Sequence, residues 1–193
     1  AKLADVSPNN IQAPPAYLAV PALKAIGYNM DTPILSNLYF NLLANAMNKA
    51  KVSVVHPSFV ETIKQLSPDE AQLLSGFAKT ANVPYVDVIQ VAERASSAMN
   101  IVLEKHIHLV EDNDLELDYI DNTSFYLSNL SRLGIIVQKE EELADAKVYQ
   151  KLENCCLVRS IRKDIEQKGF EFETERGYYK TTIYGSAFIK AVV

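Results

Sequence analysis

Ser67-Pro68-Asp69-Glu70, followed by AQLLSGFA over residues 71–78, is the stretch on which the fold turns. Serine at a helix N-cap, proline in the first turn and glutamate three residues after the cap form a capping box. The two side chains satisfy backbone N–H groups that a helix start leaves open. Ala71, Leu73, Leu74, Phe77 and Ala78 then recur at helical spacing. The sequence before this start reads as helices and linkers, whereas the sequence after it mixes strands with helices.

Working back from Ser67, Pro57 stands where a first-turn proline belongs, and Phe59, Val60, Ile63 and Leu66 make one apolar stripe of a short helix. His56 precedes that proline and reads as a residue that shapes the helix entry. KVSVV (51–55) is a linker. Before it, Ile34, Leu35, Leu38, Tyr39, Leu42, Leu43, Ala46 and Met47 predict a long helix that starts at Asp31 and Pro33. The proline-rich SPNNIQAPP (7–15) leads into a first helix near Pro14 or Pro15, which Gly27 is expected to end.

Forward of the capping box, VPYVDVIQV (83–91) is β-branched and partly alternating, as in a strand, and AERASSAM (92–99) continues as a helix would. IVLEKHIHLV (101–110) fits strand or helix, and EDNDLELD (111–118) reads as a loop. Asp121 or Thr123 caps a helix carrying Phe125, Tyr126, Leu130 and Leu133, and Gly134 stops it. Ile135 to Val137 reads as a strand. A charged helical stretch from about Glu140 to Lys168 has Val158, Ile161 and Ile165 as its inward stripe and ends at Gly169. FEFETERGYYKTTIY (170–184) alternates on both sides of Glu175-Arg176-Gly177 and predicts a β-hairpin, and a last helix starts near Ser186. The fold class is therefore mainly α (α+β). An N-terminal helical region (1–66) packs on a winged-helix-like region (67–193), which has a small hairpin wing and a helical insertion at about 139–169.

The 193 residues, 48% of them apolar, suffice for a buried core in one domain or two small ones. Net charge is −5, and it is uneven. Residues 1–119 hold eight Lys and Arg against thirteen Asp and Glu, while residues 120–193 hold eleven of each. Neither half is basic, which weighs against a nucleic-acid binder. Adjacent Cys155 and Cys156 would make a strained intrachain disulfide, so a reduced pair and a cytoplasmic location are expected. No run approaches the ~20 apolar residues of a membrane helix, and no signal peptide opens the chain. Because it starts at Ala1 without an initiator Met, the natural protein is expected to carry a further N-terminal piece.

Motifs for chemistry are missing. The six glycines, at 27, 76, 134, 169, 177 and 185, are never close enough together for a phosphate-cradling loop, and HExxH, CxxC and GxSxG do not occur. His106 and His108 would share one side of a strand, with Glu104 or Glu111 as a third metal ligand, but the spacing lacks a specific partner set. Arg159 and Lys151 would lower the pKa of a Cys155 or Cys156 thiol, yet no histidine is tied to either at a known spacing. Asp112, Asp114, Glu116 and Asp118 alternate like calcium ligands but lack the central glycine and terminal glutamate of such a loop. No catalytic residue, cofactor or metal is expected from these residues. The candidate nucleic-acid contacts are Ser128, Asn129 and Arg132 on the helix after Asp121, with neighbouring Ser131, and Arg176 and Lys180 at the wing tip; acids crowd the N-terminal end of that helix and repel phosphate.

Three stretches carry a family resemblance. They are NIQAPP (10–15), LYFNLLANAMNKAKVSVVHPSFVETIKQLSPDEAQLL (38–74), and YLSNLSRLGIIV (126–137) with TTIYGSAFIKA (181–191). Together they resemble the bacterial abortive-infection alpha family. The resemblance implies a bacterial, phage-defence role in which infected cells are sacrificed or stalled, and it brings no active site to these positions. The expected function is that of a non-enzymatic interaction protein, with a protein partner, either self or other. Tyr17, Tyr39, Tyr178, Tyr179 and Tyr184 are contact candidates. The alternatives are a winged-helix DNA-binding regulator and an effector that meets the membrane through the missing N-terminal piece.

Overall fold

A computed structural model describes residues 2–91 and 117–193 in full and 100–107 as backbone. The AERASSAM segment, His108, Glu111, Asp112, Asp114 and Glu116 lie outside the described residues, as do the side chains of Glu104 and His106.

Four helices build the N-terminal side: α1 (Ala16–Tyr28), α2 (Pro33–Met47), α3 (Ser58–Ile63) and α4 (Pro68–Lys79). The capping box of α4 is present in both directions, Glu70 N–H to Ser67 Oγ at 3.2 Å and Ser67 N–H to Glu70 Oε2 at 2.6 Å. α1 runs through Gly27, past the expected stop. Asn29 ends it, its side-chain amide donating to the Ala25 carbonyl at 2.9 Å. Past the sheet, α8 (Ile183–Val192) returns to α2. There the Asn41 and Asn45 amides donate to the Val192 and Ala191 carbonyls at 2.7 and 2.9 Å, satisfying acceptors that the end of a helix leaves open. Leu18, Tyr39, Leu42, Phe59, Ile63, Leu74, Leu127, Leu130 and Phe188 share one buried core, which residues on both sides of Ser67 supply.

The strands β1 (Asn82–Val91), β2 (Asn100–Ile107), β3 (Ile136–Lys139) and β4 (Glu171–Thr181) form an antiparallel sheet in the order β2-β1-β4-β3. Here the expected hairpin at 170–184 needs correction. β4 passes straight through Glu175-Arg176-Gly177 and pairs with β1 from Asn82↔Lys180 to Val91↔Glu171, while β3 takes its other edge. A turn at Gly177 would break that continuous run of pairs. Glycine is needed there for room, because a Cβ would run into the Tyr85 hydroxyl and the Lys139 carbonyl.

α5 (Thr123–Arg132) precedes β3 and ends at Gly134, whose φ of +72° is easy only for glycine. Between β3 and β4 the expected single helical stretch is two helices, α6 (Ala146–Glu153) and α7 (Cys156–Gln167), broken at Asn154-Cys155. Tyr149, Leu152, Val158 and Ile165 cover Val86 and Val88 of the sheet and make a second, smaller core. The chain is mainly helical, α+β, as its periodicities predict.

Two substitutions test this packing. Gly177→Ala is expected to lower stability in chemical denaturation by about 1–3 kcal/mol through overpacking. Tyr39→Phe is expected to leave stability unchanged or raise it slightly. The Tyr39 hydroxyl is fully buried with no hydrogen-bond partner, and burial, then the nearby charge of Glu61, pushes its pKa up to about 12. A loss above about 1 kcal/mol would show that the hydroxyl has a partner.

Candidate functional site

The start of α4 gathers the polar residues of α5 and of the chain leading into it. Asp69, 2% exposed, accepts hydrogen bonds from the Asp118 and Tyr119 N–H groups, both at 3.0 Å, and from the Tyr126 hydroxyl at 2.8 Å. Burial alone would raise the pKa of this carboxyl. The three donors outweigh it and hold the group below the ordinary aspartate value. The Tyr126 hydroxyl is pushed up by burial and by its bond to Asp69. Glu70 completes the cluster, its Oε1 accepting from the Asn129 amide at 2.7 Å.

Of the candidate nucleic-acid contacts, Asn129 and Arg132 are therefore engaged within the fold. Asn129 also donates to the Gln65 carbonyl at 3.1 Å, while its own oxygen accepts from Arg132 Nε at 2.9 Å and Nη2 at 2.7 Å. Arg132 Nη2 reaches Gln65 Oε1 at 3.1 Å as well. Ser128 faces solvent one residue away. The outer side of this region is aromatic and aliphatic: Tyr119, Ile120 and Phe125 are 67%, 51% and 68% exposed.

Arg176 is not at a turn. From the middle of β4 it clamps α6, with Nε 2.7 Å from Glu153 Oε1, Nη2 3.0 Å from Glu153 Oε2 and Nη1 3.2 Å from Glu142, and its guanidinium lies over the Tyr149 ring. The hydrogen bonds from Arg176 hold the Glu153 carboxyl below its ordinary pKa, and the same pairing raises that of Arg176. Lys180 remains exposed near the end of the strand. Beside the clamp, a cavity of about 430 Å³ is lined by Tyr85, Asp87, Gln138, Glu140, Glu142, Thr174, Glu175 and Arg176, so its walls favour a cationic group. Tyr85 is fixed there by Gln138, whose amide donates to its hydroxyl at 2.8 Å.

His56 accepts the Ser58 N–H at 3.1 Å and pairs with the Ser58 hydroxyl at 2.7 Å, which is the helix-entry role its sequence context predicts. Cys155 is half-buried at the N-cap of α7 and Cys156 is exposed; both are free thiols. Among the described residues, no three His, Cys, Asp or Glu side chains stand where they would share a metal ion. No helix there is long and apolar enough to cross a membrane. Of the candidate contact tyrosines, Tyr39 and Tyr179 are buried, Tyr178 and Tyr184 are half-buried, and Tyr17 is 67% exposed.

The family model described as abortive infection alpha matches residues 1–192. The chain belongs to the abortive infection alpha family. No curated protein matches it. Among solved structures, an uncharacterized protein from the hydrocarbon-degrading marine bacterium Alcanivorax borkumensis SK2 is similar at 12% identity and a TM-score of 0.40. The match covers 72% of this chain and 92% of that one. In this abortive infection alpha protein, sequence reading finds the Ser67 and Glu70 capping pair but misses Asp69. Its one local signal is an acid in the first turn of a helix, and nothing local points to partners about 50 residues further on.

The Asp69 cluster predicts the acid sensitivity of the fold. A carboxyl whose pKa is lower folded than unfolded stabilises fully above the ordinary aspartate value, and that contribution is lost as pH falls through the folded value. Asp69→Asn is expected to cost about 2–4 kcal/mol near neutral pH, from charge-assisted bonds lost and amide donors left facing donors. It is also expected to flatten the fall in stability below the ordinary aspartate range, measured as urea midpoints against pH. An unchanged acid limb would place the sensitivity elsewhere.

Proposed function

We propose that this abortive infection alpha protein acts by binding another protein and not by catalysis, as an interaction component of the response for which its family is named. The observation that supports this most directly is the outer side of α5 and its entry. The side that a nucleic-acid reader would fill with cations presents Tyr119, Ile120 and Phe125 to solvent. Its one cation, Arg132, is tied to Asn129 and Gln65. Exposed aromatic side chains beside polar ones are what the centre of a protein interface is made of. The neighbouring Asp118 and Asp121 add negative charge where a phosphate backbone would lie.

Two measurements separate this reading from a DNA-binding regulator. The protein is expected to show no salt-dependent binding to duplex DNA even at low ionic strength, with Arg132→Ala and Arg176→Ala changing nothing. Affinity capture from phage-infected cells is expected to recover a protein partner. The double variant Ile120→Ser, Phe125→Ser should lose that partner while keeping its unfolding midpoint. DNA binding weakened by Arg132→Ala would overturn the proposal.

A further inference from the structure

The largest run of outward apolar side chains among the described residues is on α1. Its sequence, AYLAVPALKAIGY, contains a single charged residue, Lys24. The helix packs on the core through Leu18, Ala22 and Ala25, with Ile26 partly buried beside them. The opposite face carries Tyr17, Val20, Leu23 and Tyr28, which are 67%, 51%, 60% and 86% exposed, with the exposed Lys24 among them. A helix on a protein surface ordinarily keeps several charged residues on that side, where α1 has Lys24 alone.

We infer that this face of α1 is a homodimer contact, in which α1 of one copy packs antiparallel against α1 of a second copy. The inference refines the binding reading above by naming one partner, and it uses a different surface from α5. Three features of the helix select a second copy of this chain. The first is area. With Met30, which is 80% exposed just beyond the helix, the stripe amounts to about 500–600 Å² of apolar surface, against roughly 800 Å² of total surface per partner in a stable interface. The second is self-complementarity. Tyr17, Val20, Leu23 and Gly27 recur along one side, and a two-fold axis midway between Val20 and Leu23 sets Val20 of one copy against Leu23 of the other. The same axis brings Tyr17 close to Gly27, where a Cβ would meet nothing within 4 Å, so the glycine leaves a notch for the ring. The third is charge. A helix lying on an anionic bilayer needs a flank of several basic residues, whereas α1 has one, Lys24.

Sedimentation velocity over a range of protein concentrations tests the contact. The protein is expected to sediment as a dimer. Val20→Lys alone and Leu23→Glu alone should each weaken self-association about tenfold or more, with the helical circular dichroism and the unfolding midpoint of the monomer retained. Mixing the two variants should restore a dimer. In each mixed pair the introduced lysine faces the introduced glutamate at one of the two symmetry-related contacts, and the other keeps its native Val20 and Leu23. A wild-type protein that stays monomeric throughout, or variants that do not rescue each other, would overturn this inference. A monomer that still captures a partner dependent on Phe125 would leave the proposed binding function standing.

Discussion

The buried carboxylate of Asp69 is the constraint around which the two sides of the molecule are organised. It lies in the first turn of α4, where the helix N-terminus favours negative charge, and it takes two backbone donors and one hydroxyl from residues 118–126. A buried carboxylate is tolerable only when so satisfied, so the path of the chain into α5 is set by the need to bring those donors to it. Glu70 fixes α5 a turn further on through Asn129. The position of α5 in turn delivers Ile135 and Ile136 to the core and starts β3 against β4. Two adjacent acids thus couple a local helix start to the register of the sheet.

A second polar device works in the same way at the far face of the sheet. Glu153 and Arg176 join α6 to β4 through a two-point contact, with Glu142 and the Tyr149 ring on its rim. Surface ion pairs generally contribute little, but this one is partly shielded and geometrically matched, with side-chain exposures of 28% and 17%. Its main consequence is placement. It holds the second core, Tyr149, Leu152, Val158 and Ile165, over Val86 and Val88.

What the sequence makes legible follows from the range of the interactions involved. The α4 start is readable because a capping box closes within four residues. The Phe59, Val60, Ile63, Leu66 stripe and the Gly134 stop are equally local. Partners 50 to 150 residues apart leave no local trace, so neither Asp69 nor the Asn41 and Asn45 caps on α8 can be found that way. Gly177 misleads for a related reason. Alternation on both sides of a glycine fits a hairpin and a continuous strand alike, and the difference lies in β1 and β3, which flank it. Arg176 then looks like an exposed wing-tip cation, since a turn would put it there. Asn129 and Arg132 read as outward for want of any sign that Gln65 and Glu70 face them.

α1 shows the limit of periodicity most clearly, and it also bears on how binding and stability are linked. Its inner side has one leucine, two alanines and the partly buried Ile26, whereas the outer one holds two tyrosines, a valine and a leucine. Hydrophobic spacing alone cannot say which stripe faces the core. A helix of 13 residues is marginal by itself, and Pro21 inside it leaves the Tyr17 carbonyl without its usual helical donor. Large apolar side chains of this helix are also left on the side turned away from its own core. Anything that covers that side must stabilise α1 as it binds, because a ligand of the folded state shifts the folding equilibrium by mass action.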